Sequence, residues 1–190
     1  RINKFKNIKK IELENDIQLL VYGSSSVKVN NKERRIEFTQ KHADDRILLK
    51  NGILKDWSIV FNGIDGNGTN NQRFDQNLIT GCLTLLDMKV NDINIEINNA
   101  FCEDGINLVR VNGNVDSIEV NNAMSDAIDV DFSKLVLSNV TVNNAGNDCI
   151  DFSFGDYKID SSFLENCKEK AISVGEKSKL NINLVSIKNS

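Results

Sequence analysis

Asp126-Ala-Ile-Asp-Val-Asp131 recurs along the chain at a fixed step. Its counterparts are Asp104-Gly-Ile-Asn-Leu108, Asp148-Cys-Ile-Asp-Phe152 and Lys170-Ala-Ile-Ser-Val174, so the first residues stand at 104, 126, 148 and 170, 22 apart each time. A second marker keeps nearly the same step: Asn99-Ala100, Asn122-Ala123, Asn144-Ala145 and Asn166-Cys167. Self-similarity at a period near 20 residues is the signature of a solenoid, in which each repeat buries its apolar face only by stacking on its neighbours.

The unit from Asp126 to Asn147 shows what one repeat must be. Ile128 and Val130 alternate with Asp129 and Asp131, then come Leu135 and Leu137, then Val140 and Val142. Alternation of period two marks strands with one buried face. Ser133-Lys134, Ser138-Asn139 and Asn143-Asn144 break the three runs. Three short strands in about 22 residues leave no room for a helix and too little for hairpins. The expected fold is therefore all-β, a right-handed parallel β-helix with three short strands per coil, each strand pairing with its equivalent one coil on.

The implied columns agree. Ile106, Ile128, Ile150 and Ile172 form one inward column, and Leu108, Val130, Phe152 and Val174 the next. Ile97, Val120, Val142 and Leu164 line another wall, and Val115, Leu137 and Ile159 a third. β-Branched residues dominate, as a pleated buried surface favours. Ala100, Ala123, Ala145 and Cys167 read as small inward corner residues. Asn99, Asn122, Asn144 and Asn166 read as a structural amide ladder, since asparagine tolerates a left-handed turn and can bond its copies above and below.

Composition narrows the function classes. The chain has 190 residues, 40% hydrophobic and 26% charged, with a net charge of −4 and no proline. A proline-free chain suits a backbone whose amides nearly all join ladders. The mild negative charge gives no basic patch and argues against a nucleic-acid partner. No apolar run is long enough for a membrane span, and no signal peptide is visible in the first residues. The four cysteines, Cys82, Cys102, Cys149 and Cys167, lack C-x-x-C spacing, which argues against zinc. Cys149 and Cys167 fall in small inward columns and are expected to act as buried small residues. His42, the single histidine, reads as a surface or loop residue, because a catalytic histidine needs an orienting neighbour.

Residues 1–45 are the least periodic and are expected to form irregular strands and a cap. Residues 46–190 form the β-helix. The polar stretch from Asn62 to Asn77 reads as a loop inserted between coils. Its Asp65-x-Asn67-x-Thr69 spacing is a weak calcium-loop pattern without the later glutamate. No cap follows the last coil, so further coils or another chain are expected to pack on that end.

The outward positions of the first strand carry the one constellation of functional interest. Rungs about 4.8 Å apart stack Asp104, Asp126, Asp148 and Lys170 in one column, Asn107, Asp129, Asp151 and Ser173 in a second, and Val109, Asp131, Ser153 and Gly175 in a third. Two carboxylates about 5 Å apart repel by about 0.8 kcal/mol in water and about 3 kcal/mol at an effective dielectric of about 20. Such a face should bind a cation, raise some carboxyl pKa values, or engage backbone amides and lysines. Hard oxygen ligands on a rigid ladder suit Ca2+. Asp104, Asp126 and Asp148 each follow a turn, where aspartate also bonds backbone N–H groups. Tyr157, Phe132 and Phe154 are expected to be partly exposed, although aromatic positions for stacking sugars are few.

Glu103-Asp-Gly-Ile-Asn107, Ser125-Asp-Ala-Ile-Asp-Val-Asp-Phe-Ser133, Asn147-Asp-Cys-Ile-Asp-Phe-Ser153 and Lys170-Ala-Ile-Ser-Val-Gly-Glu-Lys-Ser178 resemble right-handed β-helix regions of the pectate-lyase-like superfamily. They look closest to β-helix regions of bacterial proteins that accompany spore-coat-type kinase domains. The resemblance covers about residues 46–190, and it speaks for the fold more than for an activity. Through the calcium-dependent lyases of that superfamily it implies Ca2+ held by Asp126, Asp129, Asp148 and Asp151, with Lys170 as the base. The metal would acidify a proton beside a uronate carboxylate, and a neutral amine would remove it. Asn147-Asp148 departs from that family's paired acids, and Ser173 stands where a lysine is found. A structural Asp148–Lys170 ion pair is the alternative for those two residues. The two functional expectations are a Ca2+-dependent lyase or epimerase acting on an acidic polysaccharide, and a non-catalytic structural or carbohydrate-binding module.

Overall fold

The computed structural model describes residues 8–64 and 78–190. Fifteen strands and no helix make up the described chain. They are β1 (Ile8–Glu12), β2 (Gln18–Tyr22), β3 (Ser26–Asn30), β4 (Arg35–Thr39), β5 (Arg46–Lys50), β6 (Ile53–Lys55) and β7 (Ser58–Asn62), then β8 (Gly81–Ala100), β9 (Asp104–Ala123), β10 (Asp126–Asp131), β11 (Lys134–Ala145), β12 (Ile150–Ser153), β13 (Asp156–Cys167), β14 (Ile172–Val174) and β15 (Lys179–Lys188). Stacked coils of about 23 residues form a β-solenoid. The possible calcium loop at Asp65, Asn67 and Thr69 lies outside the described residues.

Parallel pairing puts like residues over one another. Ile106 pairs with Ile128, Ile128 with Ile150, and Ile150 with Ile172, while Leu108, Val130, Phe152 and Val174 follow in the same register. The other walls stack likewise: Val115, Leu137 and Ile159, and Val120, Val142 and Leu164. The strands differ from three separate runs per coil. β8 and β9 each continue through 20 residues and bend round the corners without losing their ladder. Gly113 permits one such corner. Its φ is +132°, and a Cβ there would stand 1.9 Å from the Val90 carbonyl oxygen, beside a shift of register between Val90 and Ile93.

One continuous core runs from Ile17 to Ala171 and includes Phe38, Trp57, Phe61 and Phe152, all with almost no exposure. Each such side chain contributes about 1.5–3 kcal/mol by leaving water. The corner asparagines adopt left-handed φ values of 57°, 63°, 68° and 58° at Asn99, Asn122, Asn144 and Asn166. Their amides form the expected ladder: Asn122 donates to Asn99 (3.1 Å), Asn144 to Asn122 (2.9 Å) and Asn166 to Asn144 (2.8 Å). A second ladder runs beside it, through Asn62, Asn98, Asn121 and Asn143.

The N-terminal strands break the parallel rule. β1 pairs with β2, β2 with β5 and β3 with β4, all antiparallel, whereas β4 joins β7 in parallel. Reversing direction there closes the first coil, and the outermost strand β1 carries exposed Lys9 and Lys10, which discourage further pairing. Buried Asp45 ties this region together. Its carboxylate accepts hydrogen bonds from the backbone N–H groups of Ser24, Lys41 and His42 and from the Ser25 hydroxyl. His42 itself is exposed.

The cysteines correct the sequence reading. They occupy buried positions, but they are bonded, Cys82 to Cys102 and Cys149 to Cys167. Each bridge crosses from the start of a coil to its end, over 20 and 18 residues. The column view treated Cys149 and Cys167 separately because they stand on different walls. The narrow interior brings those walls together.

Candidate functional site: an acidic sheet face

The outer face of β9, β10 and β12 is set by register. Asp104 pairs with Asp126, Asn107 with Asp129, and Asp129 with Asp151. Asp131 stands two residues along from Asp129 and so points to the same side.

The four aspartates assigned to calcium divide into two kinds. Asp126 and Asp148 are turn brackets. Asp126 Oδ1 accepts from the Asn147 side-chain amide (2.7 Å) and the Asp148 backbone N–H (2.9 Å). Asp148 Oδ1 accepts from the Lys170 backbone N–H (2.9 Å), and its Oδ2 lies 3.4 Å from Lys170 Nζ. Each thus fastens its own coil to the next. Lys170, the expected base, is exposed and lies in an ion pair with Asp148, the structural arrangement that the sequence left open. Asp129 and Asp151 are the other kind. They stand opposite each other on neighbouring rungs, and Asp129 Oδ2 accepts from the Asn107 amide (2.7 Å).

Two residues that the sequence assigned to no metal set belong to this group. Asp104 is 3% exposed, and its Oδ2 has no hydrogen-bond partner. It lacks the bracketing role of Asp126 because the Asp126 N–H goes to the Glu103 carbonyl instead. Asp131 is hydrogen-bonded to Asn107 and Asp129. Burial pushes the Asp129 carboxyl up to about 9, with the charges of Asp104, Asp131, Asp151 and Asp126 adding to it. Burial likewise raises Asp104 to about 7 against a hydrogen bond from Thr80. Burial also raises Asp126 and Asp131.

Bound calcium would need several of these oxygens directed at one point. Among the described residues, no three His, Cys, Asp or Glu side chains are grouped so as to hold a metal ion. Asp126 Oδ1 and both oxygens of Asp148 are also already engaged by donors. Calcium at Asp126 and Asp148 would have to compete with those donors.

An aromatic pair borders the acids. Phe132, directly after Asp131, and Phe154, directly after Ser153, stack with ring centroids 4.9 Å apart and planes 11° from parallel. They are 54% and 39% exposed. Both sit at left-handed φ, 52° and 53°, in a corner column with Asp87, Arg110 and Lys177. That conformation costs a non-glycine residue roughly 1–2 kcal/mol, which the stacking of the two rings offsets in part. Tyr157, expected to be partly exposed, is instead buried, with its hydroxyl donating to the Val130 and Ser153 carbonyls. Its position in an inward column, opposite Leu135, was the available signal. Arg110 is held by Asp87, with Nε 2.5 Å from Oδ1.

No helix among the described residues is long and apolar enough to cross a membrane. The architecture shown is a β-solenoid of about six turns. No protein-family model, no curated protein and no solved structure matches the chain.

Proposed function

We propose that the chain is a rigid carbohydrate-binding β-solenoid module whose contact surface is the acidic face with its aromatic border. The observation that supports this reading most is the Phe132–Phe154 pair, two exposed rings stacked beside Asp131. Pyranose rings present C–H groups that pack on aromatic faces and hydroxyls that bond to carboxyls. An apolar platform flanked by polar side chains suits both demands. The solenoid supplies rigidity, so little ordering cost attends binding. Titration of the protein with a panel of soluble oligosaccharides, read by calorimetry, tests the proposal. Binding that weakens about tenfold or more in Phe132→Ala with Phe154→Ala supports it. Silence across the panel, or binding indifferent to both substitutions, rejects it.

A second reading is the Ca2+-dependent lyase or epimerase acting on an acidic polysaccharide, with Asp126, Asp129, Asp148 and Asp151 around the metal and Lys170 as base. The register opposition of Asp129 and Asp151 favours it, because a cation would relieve their mutual repulsion. The engagement of Asp126, Asp148 and Lys170 with one another weighs against it. A calcium titration of the protein and of Asp129→Ala with Asp151→Ala separates the two readings. The lyase reading requires calcium binding that the double substitution abolishes, and unsaturated uronate accumulating from a polyuronate.

A further inference from the structure

We propose that the acidic face recognises a protonated amine, and that the carbohydrate it takes is a chain of amino sugars rather than of uronates. This deepens the carbohydrate-binding reading and rests on it. Three observations carry it.

The first is unmet charge. Among the described residues, none of the ion pairs involves Asp104, Asp126, Asp129, Asp131 or Asp151, and only Asp148 has a cation, Lys170. The carboxyls of Asp104, Asp126, Asp131 and Asp151 all lie near enough to Asp129 to act on it by charge. A uronate brought to this face would meet acidic side chains on three neighbouring rungs, with Lys170 the one cation paired to any of them.

The second is a deficit of donors. Asp104 is almost wholly buried and has an oxygen with no partner, and the buried Thr84 hydroxyl, on the same column as Asn107 and Asp129, has none either. Two side-chain amides donate into the cluster, Asn107 to Asp129 and Asn147 to Asp126, and neither reaches the second oxygen of Asp104. An ammonium group has three N–H donors and no acceptor, the complement of such a wall.

The third is the kind of cation. Among the described residues no three acidic groups are gathered as a metal ion requires, whereas two partly exposed rings, stacked on each other, directly follow Asp131 and Ser153. Carboxylates beside aromatic faces are the surroundings that stabilise an organic ammonium, through charge and through the ring quadrupole. In an amino sugar the ammonium and the C–H face of the ring belong to one unit. A single residue can therefore meet Asp129 or Asp131 while its ring lies on Phe132 or Phe154.

The probes are hexamers of glucosamine, N-acetylglucosamine and glucose, titrated into the protein by calorimetry at neutral pH and low salt. The glucosamine hexamer should bind at least tenfold more tightly than the other two, and the gap should shrink as salt is raised. Asp129→Asn with Asp131→Asn should erase that gap while leaving the residual affinity for the glucose hexamer. Phe132→Ala with Phe154→Ala should weaken all three alike. Asp129 and Asp131 are half-buried and the two phenylalanines exposed, and thermal unfolding checks that each variant remains folded. Equal affinity for the glucosamine and N-acetylglucosamine hexamers overturns the inference, as does a preference that survives the double asparagine substitution or is insensitive to salt. Binding led by the glucose hexamer overturns the inference and leaves the binding-module reading standing. Binding of none of the three overturns both.

Discussion

Replacing Cys149 and Cys167 together by alanine should lower stability by about 3 kcal/mol. The bridge closes 18 residues. In the chain-entropy treatment, a loop of that length restricts the unfolded state by about 11 cal/mol/K, or about 3.2 kcal/mol at 25 °C; the 20-residue loop of Cys82–Cys102 gives about 3.3 kcal/mol. Alanine is the right probe because it adds little cavity cost. Cys167 lies directly over Ala145 in its column, and Ala127 and Ala171 occupy the buried position of Cys149 on the coils before and after. What is lost is therefore the crosslink. With a urea slope of about 3 kcal/mol/M, the midpoint should fall by about 1 M for one bridge and about 2 M when both are reduced. Equilibrium urea unfolding followed by circular dichroism, with and without a reductant, reads this directly. Alkylation before reduction should label none of the four cysteines in protein refolded under oxidising conditions. A midpoint that moves by less than about 0.3 M, or four readily alkylated thiols in oxidised protein, would refute the stapled-coil picture. Bridges of this kind persist in oxidising compartments and are lost in reducing ones, so expression under reducing conditions should give the less stable form.

The acidic face makes stability depend on pH in an unusual direction. Asp104 and Asp129 have folded-state pKa values above the unfolded value of about 3.9, so above about pH 4 the folded state holds more protons. Stability should then fall as pH rises from about 4 toward 9, by at most about 1.4 kcal/mol per pH unit for each proton retained. Asp129→Asn should flatten the slope and raise the melting temperature at pH 8, and a slope of the opposite sign in the wild type would contradict the burial of these acids. Asp45→Ala should cost about 3 kcal/mol, because it strands the backbone N–H groups of Ser24, Lys41 and His42; a loss under about 1 kcal/mol in thermal unfolding would deny it the clamping role. Asn144→Ala should cost about 1–2 kcal/mol through the left-handed turn at φ 68° and the two ladder bonds, and Asn144→Gly less; alanine and glycine variants of equal stability would show that the turn conformation does not matter.

The coils were legible in the sequence because every column repeats its own evidence. Four isoleucines at 106, 128, 150 and 172 say the same thing, and the structure pairs them in sequence order. The corner ladder was legible for the same reason. Features that occur once were not. The antiparallel start has no period to reveal it, since β1 to β4 do not repeat one another. The disulfides join one column to another, and a reading along columns does not measure the distance across the interior. The acidic face fell between these cases. Its membership followed from register, but the separation of Asp126 and Asp148 from Asp104 depends on single hydrogen bonds: the next coil's N–H reaches the carboxylate in the first two, whereas at Asp104 the next coil's N–H goes to Glu103.

The same repetition also says which acids the fold does not need. Asp126 and Asp148 each bind a backbone amide of the following coil, so architecture alone explains them. The column through Thr84, Asn107, Asp129, Asp151 and Ser173 has no carboxyl at either end and carboxyls only at Asp129 and Asp151. An uncharged amide would fit those middle rungs without repulsion, as the asparagine corner demonstrates rung after rung. Placing Asp129 over Asp151, with Asp131 alongside and buried Asp104 near enough to act on Asp129, raises the energy of the folded state. Phe132 and Phe154 add to that cost by holding exposed rings at a left-handed corner. Two costs to folding, unrelated in kind and adjacent in space, are what the proposed binding surface would account for.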